Sequence, residues 1–152
     1  MSSAEASNRT QVLGVDFGES RVGLALSDEQ QKHCVPLKTV DRRSDAQVIE
    51  EVLEIATEHG AGEILVGEPK NVDGSRGPAA KRARSFARKL SRRCELPVTL
   101  VDEALTTVEA TERLREAGLS GAALRARVDA VAAQVLLEGA LSERAQRPGD
   151  SS

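Results

Sequence analysis

Two apolar runs separated by only three residues set the first constraint on this chain. Gln11-Val-Leu-Gly-Val-Asp-Phe17 and Arg21-Val-Gly-Leu-Ala-Leu-Ser27 each have the length and apolar content of a strand, and Gly18-Glu19-Ser20 between them is a turn. The pair reads as a β-hairpin, and a hairpin this apolar must be covered by other elements. Cys34–Val40 reads as a third strand, with Pro36 suited to a sheet edge because it has no N–H to donate.

Beyond that point strands alternate with helices. Ser44 is a good N-cap for a helix carrying Val48, Ile49, Val52, Leu53, Ile55 and Ala56 at helical spacing, and Gly60 stops it. Glu63–Val66 is a short strand, and residues 71–77 are rich in turn formers. Pro78 opens a helix running to about Arg93. Pro97–Val101 is a fifth strand, Thr106-Thr-Val-Glu109 a capping box for a helix ended by Gly118, and Ala122 to Glu143 a last helix. Closely joined strands pair antiparallel, whereas strands separated by helices need parallel crossovers. The expected fold is therefore α/β: a mixed five-stranded sheet, three strands antiparallel and the rest parallel, flanked by helices in the ribonuclease H-like layout. Residues 11–145 are expected to form this domain, with 1–10 and 146–152 as disordered tails.

A chain of 152 residues can bury a core without disulfides, but Phe17 and Phe86 are its only aromatics, so the core must be aliphatic. With no Trp or Tyr there is no platform for stacking bases, which argues against OB-fold and RRM-like modules. Cys34 and Cys94 match no metal-ligand spacing and read as reduced, half-buried thiols. No stretch approaches the roughly 20 apolar residues of a membrane span, and the polar first ten residues do not resemble a signal peptide. The expected location is the cytoplasm.

Net charge is −3, yet residues 81–93 carry Lys81, Arg82, Arg84, Arg88, Lys89, Arg92 and Arg93 and no acid. Such segregation suits phosphate recognition, although a solvated helix face reads the same way. Three acids stand out against apolar surroundings. Asp16 closes the first strand, where an Asp before Gly18 could also serve only the turn. Asp102-Glu103 follows the fifth strand, where the carboxyl ends of parallel strands line the crevice of α/β sheets; a pre-cap of the next helix is the bland reading. Asp129 is the only charge in the apolar stretch Val128 to Leu137, and a salt bridge to Arg125 one turn earlier is its bland reading. Asp16, Glu103 and Asp129 together would form a hard-oxygen cage for Mg²⁺ or Mn²⁺, of the kind that cuts phosphodiesters with two ions. His33 and His59 read as surface residues.

Four motifs in order resemble the YqgF/RuvX family over residues 11–141. They are Gly14-Val-Asp16-Phe-Gly18 with Arg21-Val-Gly23; Val66-Gly67-x-Pro69-x-Asn71-x-Asp73-Gly74-Ser75; Val101-Asp102-Glu103-x-Leu105-Thr106-Thr107; and Val128-Asp129-Ala130-x-Ala132-Ala133. The resemblance implies an RNase H-like nuclease linked to Holliday junction resolution and to maturation of the pre-16S rRNA 5′ end. It assigns Asp16, Glu103 and Asp129 the metal-binding roles, with Asp102 a weaker candidate because the other side of the strand end is open to it. Glu68 and Lys70 replace usually apolar residues, Ala104 replaces a usual Arg, and only Arg125 and Arg127 represent a usually Lys-rich stretch. Glu68 is a candidate fourth carboxylate.

The expected activity is metal-dependent cleavage of nucleic acid, with pre-16S rRNA 5′ processing in ribosome biogenesis ahead of junction resolution, since a junction calls for a symmetric dimer. Lys70, Arg76, Lys81, Arg82, Arg84 and Arg88 are the expected phosphate contacts, and a monomer or weak homodimer the expected state. Two alternatives use the same residues: a non-catalytic nucleic-acid-binding domain, and a nucleotide-phosphate binder built on the hairpin from Asp16 to Gly23.

Overall fold

The computed structural model describes residues 10–70, 73, 75–103 and 106–146. The expected tails, and Asn71, Gly74, Ala104 and Leu105 of the motifs, lie outside the described residues or nearly so: Thr10 and Gln146 are described, and Gln146 ends the last helix. The strands are β1 (Val12–Phe17), β2 (Arg21–Ser27), β3 (Cys34–Asp41), β4 (Glu63–Pro69) and β5 (Val98–Glu103). The helices are α1 (Asp45–His59), α2 (Pro78–Arg93), α3 (Thr106–Glu116) and α4 (Gly121–Gln146). They form one five-stranded sheet in the order β3-β2-β1-β4-β5, antiparallel across β3, β2 and β1 and parallel across β1, β4 and β5.

The start of α1 shows why the local sequence folds as it does. The Ser44 hydroxyl accepts from the Gln47 N–H while the Gln47 side chain accepts from the Ser44 N–H, closing a reciprocal cap. At the other end Gly60 takes φ 68°, a left-handed value that a side chain would oppose. The capping box expected at Thr106 has a different outcome. Thr106 is already helical, its hydroxyl donates to Glu103, and Glu109 pairs with Arg113 instead. The nearby carboxylate of Glu103 is the stronger acceptor.

Period-two alternation splits the central strands between two cores. Leu13, Val15, Phe17, Val22, Leu24, Ile64 and Val66 face α1 and α2, where Phe86 is fully buried and stacks on Phe17 with ring centroids 4.3 Å apart. Val12, Ala25 and Leu65 face the opposite way, onto Ala133, Leu137 and Leu141 of α4. At 26 residues α4 is about 39 Å long, and it crosses β1, β2 and β3. Arg144 anchors its far end with two parallel bonds of 2.9 Å to the carboxylate of Glu63 at the start of β4. The edge strand β5 is left largely exposed.

Candidate active site

The sheet topology brings the acids together. Asp16 in β1 and Glu103 in β5 both lie at the carboxyl ends of parallel strands, two strands apart. Asp16 pairs across the hairpin with Gly23, so their side-chain positions share the α4 face. Gly23 is where α4 comes down: a Cβ there would stand 1.8 Å from the main-chain oxygen of Asp129. The missing side chain sets Asp129 directly beside Asp16. Glu103 reaches the same face by register, since Pro69 pairs with Glu103 and Gly67 with Val101. Its Oε2 would lie 3.0 Å from a Cβ on Gly67, so that glycine too makes room for the acid.

The electrostatics are those of a crowded acid cluster. Burial, the Glu103 charge and a hydrogen bond with Glu103, and then the Asp129 charge push the Asp16 carboxyl from 3.8 up to about 8. The Thr106 hydroxyl donates to Glu103 and fixes it. Asp129 is turned toward Arg21, whose Nε is 2.9 Å from Oδ2. That buried oxygen accepts no aligned hydrogen bond. The bland reading of Asp129, a pair with Arg125, is thereby corrected: the partner comes from β2, because α4 turns Asp129 down onto the sheet.

Among the described residues no three acid, histidine or cysteine side chains are grouped so as to hold a metal ion as they stand, and Asp129 is paired with Arg21. The donor set nevertheless fits a hard divalent cation. It offers oxygen ligands only, a burial and an excess of negative charge that together hold a proton on Asp16, and an Asp129 oxygen short of hydrogen bonds.

The remaining site expectations fall elsewhere. Glu68 alternates with Gly67 and so faces α2, where Arg76 and Arg84 stand at 3.2 and 3.0 Å from its two oxygens. It is on the wrong face to be a fourth ligand. Asp102 points the same way and binds Lys70 at 2.9 Å. Of the expected phosphate contacts, Lys70, Arg76 and Arg84 thus already hold acids. Lys81 and Arg88 are exposed on α2 and Arg82 is half-buried there, all across the sheet from Asp16. Sequence reasoning missed Arg21 as the partner of Asp129 and Thr106 as the partner of Glu103. Arg21 lay inside a quoted motif, but its pairing depends on where α4 lands.

The whole architecture has counterparts among known proteins. The profile of a family described as "RuvX: Holliday junction resolvase" matches residues 10–143. A protein of Anaeromyxobacter sp. (strain K) named "Putative pre-16S rRNA nuclease" is 44% identical over 133 residues, covering 88% of this chain and 97% of that protein. A protein of the same name from Chloroflexus aurantiacus (strain J-10-fl) is 36% identical over 140 residues, covering 92% of each. Among solved structures, T. thermophilus RuvC in complex with a Holliday junction substrate superposes with a TM-score of 0.55 at 17% identity, covering 90% of this chain and 96% of that one. The fowlpox virus resolvase bound to junction DNA gives 0.54 at 12% identity, covering 90% and 99%. At those identities the likeness is one of fold.

Proposed function

This chain belongs to the RuvX family of Holliday junction resolvases, and from that premise we propose that it is a divalent-metal-dependent endonuclease that trims the 5′ end of pre-16S rRNA. The observation that carries the reading is the convergence of Asp16, Glu103 and Asp129, from β1, β5 and α4, on one end of the sheet, with Asp16 driven to hold a proton by its burial and by the other two acids. Acids arranged in this way repel one another until a cation joins them.

Asp16, Glu103 and Asp129 would hold the metal, Mg²⁺ or Mn²⁺. When bound, such ions lower the pKa of water and stabilise the leaving oxygen of a phosphodiester. The protein's own residues prepare the site. Asp16 gives up its proton as the site fills, Thr106 keeps Glu103 oriented, and Arg21 sits at the mouth with its guanidinium half-exposed. Lys70, Arg76, Lys81, Arg82, Arg84 and Arg88 lie at the same sheet end or along α2, and we assign them to the nucleic-acid backbone. A groove of about 950 Å³ between β5, α3 and α4 suits phosphates less: Glu109, Glu138 and Glu143 line it, and its Arg113 and Arg144 are bound to acids. Among the described residues no helix is long and apolar enough to cross a membrane. We place the protein in the cytoplasm as a monomer or weak homodimer.

Junction resolution is the second reading, favoured by the family's description and the RuvC fold. The deciding experiment sets a labelled pre-16S fragment beside a four-way DNA junction, with Mn²⁺ or EDTA, using wild type and Asp16→Asn. Metal-dependent cutting of the RNA that the variant loses is expected. Preference for the junction would select the second reading. Cutting by a folded Asp16→Asn would remove Asp16 from the mechanism.

A further inference from the structure

On the α2 side of the sheet, directly behind the acidic cluster, a second charged group has a different design. Glu68 is 5% exposed at the carboxyl end of a central strand. A carboxylate so buried needs compensation, and one cation would supply it. Two are present: Arg76 Nε at 3.2 Å from Oε1 and Arg84 Nε at 3.0 Å from Oε2, with side chains 45% and 42% exposed. The contacts are not saturating, since Oε2 accepts no aligned hydrogen bond.

Each guanidinium thus stands against Glu68 through its Nε side as an ion pair, with no aligned N–H bond to Oε2. An arginine has five N–H donors, and the terminal NH₂ groups of Arg76 and Arg84 have no other partner among the described residues. The trio carries one net positive charge. Helix α2 begins between the two arginines, with Gly77 as an N-cap that supplies no side-chain bond and Pro78 at the first position. The free N–H groups of that first turn add to the same field. We propose that Arg76 and Arg84, paired on the buried Glu68 carboxylate, form a preorganised receptor for a backbone phosphate of the nucleic acid.

The site's position gives the receptor its role. Glu68 pairs with Asp102 and the next pair is Pro69 with Glu103, so the arginines and the acids occupy the two faces of one sheet end. A strand drawn over that end meets the acids on one face and the guanidinium fork on the other. The fork grips a phosphate flanking the one that is cut. Holding the arginines beforehand removes side-chain entropy that free arginines would lose on binding. The identity of the phosphate rests on the nuclease reading; the receptor itself does not.

The test follows the arginine Nε–Hε resonances by ¹H–¹⁵N NMR in EDTA, where no cutting occurs, while inorganic phosphate or a 12-nucleotide RNA is added. Saturable shifts of the Arg76 and Arg84 signals with RNA are expected, and Glu68→Gln should abolish them while the rest of the spectrum stays folded. Arg84→Ala should weaken RNA binding about 5- to 10-fold and reduce the slope of log K against log salt by nearly one. Arg92→Ala, the same charge change at the far end of α2, should leave the Arg76 and Arg84 responses as in wild type. RNA binding with those signals unmoved, or equal losses in Arg84→Ala and Arg92→Ala, would overturn the proposal. So would a response to inorganic phosphate without one to RNA, which marks a small-anion site. If the fork binds RNA but no RNA is ever cut, the nuclease reading fails and the receptor stands.

Discussion

The main-chain oxygen of Asp129 stands 1.8 Å from the point where a side chain on Gly23 would begin. The contact is backbone to backbone, so neither partner can rotate away. Gly23→Ala is expected to lift α4 from β2, displace Asp129 from Asp16, and cost about 2–4 kcal/mol in urea unfolding, with cleavage falling further than stability explains. An alanine variant as stable and active as wild type would mean that the helix has slack here.

The raised pKa of Asp16 has a sign that can be checked. In the unfolded chain this carboxyl ionises near 3.8; in the folded, metal-free protein it keeps its proton up to about 8. Between those values the folded state binds more protons, so stability is full at the acid end and is lost as pH rises through the window. Asp16→Asn should therefore be more stable than wild type at pH 8, with the gap closing toward pH 4, even as its cutting is expected to be lost. Thermal melts in EDTA across that range measure it. A gap that widens at low pH would refute the crowded-acid account.

Arg21 supplies the positive charge nearest to Asp129. Removing it with Arg21→Ala should leave the acids in greater need of a cation. Mn²⁺ is expected to bind several-fold more tightly, and a calorimetric titration reads this without any substrate. Unchanged or weaker binding would show that Arg21 mainly holds Asp129 in place.

With two aromatic residues in the chain, the stack of Phe86 on Phe17 has no substitute. Phe86 is fully buried between α2 and the sheet. Phe86→Ala should cost about 3–5 kcal/mol in chemical denaturation. A loss below about 1 kcal/mol would mean that the surrounding aliphatic side chains close over the gap.

The strand and helix order was legible because the signals were local. The Val12–Phe17 and Arg21–Ser27 runs, Ser44, Gly60 and Pro78 each mark an element by their own chemistry, and the structure places boundaries within a few residues of them. The same reasoning stops β4 at Val66, although the strand continues to Pro69, since Gly67 and Glu68 look like a strand end in sequence. Their burial depends on α4 and on two arginines that the strand itself does not contain. Asp16, Glu103 and Asp129 were visible as charges among apolar neighbours. Their partners Arg21 and Thr106 were not, because which oxygen a guanidinium or hydroxyl meets is decided by helix docking. Glu68 misled for a related reason: one residue along a strand is the difference between one face and the other.

Asp16 is in the first strand and Asp129 in the last helix, and the site exists only where they meet. During synthesis β1, the sheet's middle and β5 all leave the ribosome before α4. A nascent chain thus carries two of its three acids while still tethered to the machine whose RNA its relatives are named for. If these three acids are the active site, it is complete only once α4 has docked on the sheet. Any event that peels α4 away would part Asp129 from the other two acids and uncover Val12, Ala25 and Leu65 of the sheet.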